Sequence, residues 1–294
     1  MRDKDKKKKL HILEVCFSRS QGGLEMYMAN ISRFMAKRDH RIWTIASAGS
    51  YLQNKLSNSA IPFKPITPKR RYLDFRIANK IAEIIVKNRI DIIHAHQSAD
   101  LSTLILAKKK AQRGKLVFTQ QMESRRKKKD VFHRLVYRNV DGLVAITDRI
   151  KNQVSQNTML FPNRLFRLYY GIDLEKFKPN LQRRETSRRR FGILPGEIAI
   201  GIVGRLEEGK GQHILLQAVG QLTNYLPKIK VIFIGAETVG QTGYLDYLKK
   251  SAEDLGISSR TIFTGFQEDV PSVSAALDIV VLATRKETFG LSLI

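Results

Sequence analysis

Three stretches of this chain combine residue types suited to capturing a negatively charged group. In Ser20-Gln-Gly-Gly-Leu-Glu25, the glycines Gly22 and Gly23 separate an apolar run from a helical pattern. Glycines there let backbone N–H groups approach an anion, and a helix N-terminus adds partial positive charge. Their spacing is not G-x-G-x-x-G, which argues against dinucleotide-dependent hydride transfer. A plain strand-to-helix turn accounts for this stretch equally well on its own. In Gly201-Ile-Val-Gly-Arg-Leu-Glu-Glu-Gly-Lys-Gly211, Gly204, Arg205 and Lys210 again stand between a strand pattern and a helix pattern. A guanidinium fork and an ammonium point charge suit a diphosphate, above all one gaining charge as it departs. The spacing also differs from G-x-x-x-x-G-K-[ST], which disfavours a P-loop triphosphatase, and a solvated basic turn is the competing reading. The third stretch, Glu287-Thr-Phe-Gly-Leu-Ser-Leu-Ile294, puts a carboxylate behind the apolar run Asp278–Ala283. A carboxylate in that place faces the crevice where α/β proteins bind ligands.

These groups need a sheet to position them. Apolar runs predict strands at Leu10–Phe17, Arg41–Ala46, Asp91–Ala95, Lys115–Thr119, Gly142–Ile146 and Leu165–Tyr169. Helical spacing fills the intervals at Leu24–Lys37, Asp74–Lys87, Leu101–Lys110, Val131–Arg138 and Asp148–Gln156. The pattern breaks near Gly171–Pro179, and a second series runs from Ile198–Val203 through Gln212–Leu222, Lys230–Ile234, Tyr244–Leu255, Thr261–Thr264 and Val270–Leu277 to Ile279–Leu282. Such alternation predicts α/β domains, each a parallel sheet covered on both faces. The expected division is a basic tail over residues 1–9, a first domain over 10–178, a linker over 179–195 and a second domain over 196–294. The polar linker is the expected protease-sensitive seam. His94 and His96, alternate residues leaving a strand, are read as pointing in opposite directions. No shared metal is therefore expected, and packing or a cleft-lining hydrogen bond is their expected role.

Length and charge narrow the class. A chain of 294 residues suits two domains. No run reaches the roughly 20 apolar residues of a spanning helix, and no secretory leader is expected. The lone Cys16 forms no internal disulfide and fits a reducing, cytoplasmic setting. The net charge of +25 is lopsided: residues 1–180 hold 38 Lys+Arg against 15 Asp+Glu, and residues 181–294 hold 14 against 12. The runs Lys6–Lys9, Lys69–Arg71, Lys108–Lys110 and Arg125–Lys129 carry much of it. None is interleaved with aromatics as a single-strand nucleic-acid platform would be. An anionic membrane face is the expected partner, and nucleic acid is not.

Gly22-Gly23, Gly204-Arg205-Leu206 with Lys210-Gly211, and Glu287-Thr-Phe-Gly290 occur in the order and approximate separation of glycosyltransferase family four. His94-Ala-His96, Tyr170-Gly-Ile-Asp173 and Ile262-Phe-Thr-Gly-Phe266 are similar to its supporting segments. The resemblance runs from Leu10 to Ile294. It implies a GT-B architecture, two Rossmann-like parallel-sheet domains facing a cleft, with acceptor on the first and nucleotide-sugar donor on the second. Sugar transfer with retention of configuration, hexosyltransferase-like and without metal or other cofactor, is implied with it. By position, Arg205 and Lys210 would hold the diphosphate and Glu287 the donor sugar. Gly22, Gly23, Gly204, Thr264, Gly265, Phe266, Phe289 and Gly290 would line the donor.

Two departures accompany the resemblance. Gln121 stands where relatives carry a histidine, so this position and His96 are candidate sugar or acceptor contacts that carry no positive charge at Gln121. The E-x₇-E signature of retaining members would place its second glutamate one residue past Ile294. A second domain truncated at its C-terminus is therefore expected, with little transfer by this chain. The segment Gln121–Tyr137 resembles members acting on lipopolysaccharide core or other cell-envelope acceptors. The expected function is thus a peripheral, inner-face glycosyltransferase. The alternative is an inactive remnant that binds membrane or acceptor without catalysis.

Overall fold

A computed structural model describes residues 8–70, 72–124, 126–237, 242–285 and 287–293. Most of the basic tail, with Lys6 and Lys7, and also Arg71, Arg125 and Ile294 lie outside the described residues. The chain divides into two compact units, one ending at Tyr170 and one beginning at Gly171.

The first unit holds seven strands: β1 (His11–Cys16), β2 (Arg41–Ala46), β3 (Phe63–Pro65), β4 (Ile92–Ala95), β5 (Lys115–Gln120), β6 (Gly142–Ala145) and β7 (Leu165–Arg167). They form one sheet in the order β3-β2-β1-β4-β5-β6-β7 with every neighbouring pair parallel. Parallel strands covered on both faces are nearly continuous in apolar residues, which is why they read clearly from sequence. In β1, Ile12, Leu13, Val15 and Cys16 are all buried, and Glu14 is buried among them. Cys16 packs with Met28, Ala29, Ala46, Leu52 and Leu56, as expected of a small core residue. The single tryptophan, Trp43, lies in β2 with its ring centroid 5.4 Å from that of His11.

The helices of this unit begin where polar side chains satisfy free N–H groups. Asp74 accepts from the Ile77 N–H at 3.0 Å and opens the helix Phe75–Lys87. Asp130 and Thr147 do the same for Val131–Arg138 and Asp148–Asn157. Two elements escape the sequence reading, the short helix Tyr51–Ser57 and β3. No described helix is long and apolar enough to cross a membrane.

The second unit builds a four-stranded parallel sheet from β8 (Ile198–Val203), β9 (Ile229–Ile234), β10 (Thr261–Phe263) and β11 (Ile279–Val280), in the order β10-β9-β8-β11. Alternation along the strands feeds two cores. Ile200, Ile202, Val231 and Phe233 face the helices Gln212–Leu222 and Tyr244–Asp254. Ala199, Ile232 and Ile234 face Val273 and Leu277 on the other side.

The expected linker needs correction. Residues 181–190 form a helix, Leu181–Arg190, capped by Asn180. Arg184 and Arg188 both pair with Asp278 at the head of β11 and donate to the carbonyls of Ala275, Ala276 and Leu277. Ser187 donates to the Ser272 carbonyl at 2.7 Å. Burial raises the Asp278 carboxyl, but the Ala199 N–H and the two guanidinium groups more than offset this and lower it. A helix with no apolar stripe is held here by charge, and the expected seam is an integral part of the second unit. The expected helix over Val270–Leu277 closes earlier, at Ser274, and β11 ends at Val280 rather than Leu282.

Candidate active site

In the second unit, the expected donor residues gather on loops at the carboxyl ends of the strands. Gly235, directly after β9, has φ +148°, and a Cβ there would lie 1.9 Å from the Gly204 carbonyl oxygen after β8. Its N–H donates at 3.1 Å to the Gly265 carbonyl after β10. Gly211 has φ +74°, and its Cβ would meet the Ala283 carbonyl oxygen at 2.4 Å. Only glycine admits these approaches. The loops after all four strands therefore approach one another through backbone, leaving their side chains for other contacts.

Lys210 ends the turn Glu208–Lys210 and donates to Glu287 Oε2 at 2.8 Å. Both side chains are about one-quarter exposed. Burial raises the Glu287 carboxyl, but hydrogen bonding to Lys210, the N–H groups of Thr288 and Phe289, and the Lys210 charge together hold it below its usual range. Glu287 is therefore anionic at neutral pH, and the ammonium is fixed in direction. Arg205 leaves β8 just after Gly204; its Nη2 reaches Glu207 Oε1 at 3.2 Å, and its carbonyl accepts from Gln212 at 2.7 Å. Thr284 Oγ1 donates to the Gly209 carbonyl at 2.8 Å, tying the Lys210 turn to the Glu287 segment. Thr264, Gly265 and Phe266 follow β10, with Phe266 exposed. Phe289 and Gly290 follow Glu287 directly. A fixed ammonium, an exposed guanidinium and an ionised carboxylate on one strand edge can bind a polyanion and a neighbouring polyol.

In the first unit, Gly22 and Gly23 stand at the head of the helix Gly23–Ala36, behind β1. Glu25, buried in its first turn, accepts from Ser18 Oγ. Asp100 is buried beside the same loop and accepts from the Phe17 N–H at 3.2 Å; burial pushes its carboxyl up to about 7 against that hydrogen bond.

His94 and His96 require a second correction. Residues two apart on a strand share a face, and the two imidazoles lie side by side with centroids 4.3 Å apart. Both converge on Glu14: His94 Nδ1 and His96 Nε2 stand 2.9 and 2.7 Å from the same carboxylate oxygen, Oε2. The three groups lie within 4.8 Å of one another, close enough to share a cation. Each ring nitrogen nevertheless has a protein partner. His94 Nε2 meets Thr119 Oγ1 at 2.7 Å, and His96 Nδ1 meets Gln121 Nε2 at 3.1 Å. Tyr170 donates its hydroxyl to Gln121 Oε1, and the Tyr27 ring lies tilted against Tyr170 with centroids 4.3 Å apart. Burial raises Glu14, yet the charge and hydrogen bonds of His94 and His96 bring it down to about 2. Burial lowers His96 to about 4, helped by His94, against the pull of Glu14.

His96 and Gln121, named from sequence, are thus joined directly. Glu14, Thr119 and Tyr27 were missed. A carboxylate inside an apolar strand was the available signal for Glu14, because a buried charge must find partners.

Comparison with known families now bears on both sites. The model described as Glycosyltransferase Family 4 matches residues 21–176, and that described as Glycosyl transferases group 1 matches residues 183–294. The chain belongs to glycosyltransferase family 4. Among relatives of this family, a D-inositol 3-phosphate glycosyltransferase from Corynebacterium urealyticum is 33% identical over 177 residues, covering 58% of this chain and 41% of the relative. The matched stretch thus spans less than half of that relative. The Anabaena protein Alr3699/HepE, solved with UDP and glucose, superposes with a TM-score of 0.78 at 22% identity, covering 95% of this chain and 75% of that one. WaaG, a glycosyltransferase involved in lipopolysaccharide biosynthesis, gives 0.66 at 18% identity, covering 96% and 77%. These structures share the fold, two Rossmann-like parallel-sheet domains of the GT-B type.

Proposed function

We propose that the chain transfers a sugar from a nucleotide-diphosphate donor to a cell-envelope glycan or lipid acceptor, with retention of configuration. The observation carrying this reading is the Lys210–Glu287 pair beside Arg205 on the carboxyl edge of the second sheet. Family membership supports glycosyl transfer, and the UDP-bound fold neighbour supports a nucleotide donor. In this reading Arg205 and Lys210 hold the diphosphate and stabilise its growing charge as the glycosidic bond breaks. Glu287 accepts from hydroxyls of the donor sugar while orienting Lys210. The leaving phosphate takes the proton of the attacking acceptor hydroxyl on the same face, so no pair of catalytic carboxylates is needed. No metal takes part, and chelation with EDTA should leave turnover unchanged.

The excess of cations in the first unit supports docking on an anionic inner membrane face. The lipopolysaccharide role of the WaaG neighbour supports a related acceptor, whereas the relative's name points to a phosphorylated polyol. Assaying UDP-glucose turnover against lipopolysaccharide-core and inositol-phosphate acceptors distinguishes the two, and product NMR reads the anomeric configuration. Replacing Lys210 by Ala should lower kcat by about 10²–10³-fold, the usual loss of one donor to a developing anion. Failure of UDP, GDP and ADP to bind the wild-type chain in calorimetry would sink the proposal.

A further inference from the structure

The transfer chemistry proposed for the second unit gives no task to the deepest polar cluster of the first. We propose that Glu14, His94 and His96 form a site for one divalent transition-metal ion, with Zn²⁺ the ion their donor atoms suit best. The site lies wholly within the first unit and stands independently of the transfer reading.

Two neighbouring strands preassemble the three donors. Glu14 on β1 pairs in register with His94 on β4, and the His96 N–H donates to the Val15 carbonyl at 3.2 Å. Residues two apart leave one face of β4, so both imidazoles arrive beside the carboxylate. His94 offers Nδ1 and His96 offers Nε2, at 2.9 and 2.7 Å from Glu14 Oε2. The three donor atoms all lie within 4.8 Å of one another. Zinc bonds of about 2.0–2.2 Å separate tetrahedral ligands by roughly 3.3 Å, so the imidazoles need draw back by only about half an ångström.

Charge points the same way. Glu14 is 1% exposed, and no lysine or arginine among the described residues forms an ion pair with it. A buried carboxylate that faces only imidazoles lacks a permanent counter-charge, and a divalent ion supplies one. Two imidazoles and one carboxylate favour zinc and its transition-metal neighbours over Ca²⁺ and Mg²⁺, which prefer oxygen donors.

The outer partners fit ligation as well. A metal-bound imidazole gives the hydrogen on its second nitrogen to a neighbouring acceptor, which fixes the ring. Here His94 Nε2 meets Thr119 Oγ1 at 2.7 Å, and His96 Nδ1 meets the Gln121 side chain at 3.1 Å. A hydroxyl accepts after rotation and a glutamine amide accepts after turning over, so each can receive that hydrogen. His94 is the way in, its side chain 13% exposed while those of Glu14 and His96 are sealed. A solvent molecule entering past it fills the fourth position. The ion ties β1 to β4 and, through Thr119, to β5. Its loss is therefore read in stability and not in turnover.

The test titrates ZnCl₂ into the metal-free full chain by calorimetry, with long-range ¹H–¹⁵N NMR of histidine-labelled protein as a second readout. One ion per chain should bind. His94 and His96 should then carry hydrogen on Nε2 and Nδ1 respectively, and amide exchange in β1 and β4 should slow. Co²⁺ in place of Zn²⁺ should give the visible bands of a four-coordinate ion without thiolate charge transfer. Glu14→Gln and His94→Asn should abolish binding. Thr119→Val, which keeps all three ligands, should weaken it about 10–100-fold.

A wild-type chain that takes up no Zn²⁺, or histidine spectra unchanged by it, overturns the proposal. A thiolate band overturns it by placing the ion at Cys16, and undiminished binding in both Glu14→Gln and His94→Asn overturns it by placing the ion elsewhere. Should those two variants not fold, the wild-type spectra and Thr119→Val decide. Nucleotide-sugar turnover is not among the readouts, so failure of the transfer reading leaves this test standing.

Discussion

The carboxyl edges of the two sheets are organised by opposite means. In the first unit, side chains run from buried Glu14 through His96 and Gln121 to Tyr170, and the carboxylates of Glu14, Glu25 and Asp100 lie inside the protein. In the second, glycines bring backbone against backbone, and the charged groups stay partly in solvent. The first design sets orientation through proton positions and is sensitive to pH. The second sets it through excluded volume and is sensitive to a single added methyl group.

That contrast can be broken most severely at Gly235. Gly235→Ala would place its Cβ 1.9 Å from the Gly204 carbonyl oxygen. The expected cost is on the order of 4 kcal/mol or more, enough to unfold the second unit, and amide exchange in β8 and β9 would show it. Retained protection in both strands would mean that the loops part easily.

Next in size is Glu14→Ala. It removes the acceptor from two imidazole N–H groups in a buried site. An unsatisfied buried donor costs about 1–3 kcal/mol, and urea unfolding of the first unit should lose an amount of that order.

A smaller effect lies in the pH dependence. His96, lowered to about 4, gives stability that is complete above its ordinary value of 6.5 and lost as pH falls toward 4. Glu14, lowered to about 2, gives stability that is complete above 4.5 and lost as pH falls toward 2. Asp100 acts in the reverse sense: raised to about 7, it gives stability below 3.8 that is lost as pH rises through 7. The stability advantage of Asp100→Asn over wild type should therefore grow from pH 4 to pH 8. A constant difference across that range would show that Asp100 is not protonated in the folded state.

Gly22→Ala should do least. Gly22 is extended, and the nearest atom to an added Cβ is Glu25 Oε2 at 3.4 Å. Stability should move by no more than about 0.5 kcal/mol. The two glycine variants together measure how far excluded volume governs one edge and not the other.

The sequence showed these two designs unequally. Buried parallel strands such as β1 and β8 announce themselves as apolar runs, and the predicted helices follow their spacing and caps. Tyr51–Ser57 and Phe63–Pro65 are too short to develop a period. Leu181–Arg190 looks like a linker in sequence because its hold is ionic, and charge pairing has no period along a chain. Arg205, Lys210 and Glu287 were legible through family spacing, and the structure adds the contact between the last two. Glu14 hid for the opposite reason: its partners lie about 80 residues away, and only the pairing of β1 with β4 brings them together. The histidine pair shows that a strand's period of two must be applied to the side chains themselves.

Trp43 on β2, its ring tilted against that of His11, has one further consequence. As the only tryptophan in the chain, it makes the first unit alone visible to selective excitation at the red edge of protein absorption. Melting of the second unit leaves that signal silent and appears only in tyrosine or amide probes. The molecule thus carries an internal label by which its halves can be unfolded together and recorded apart.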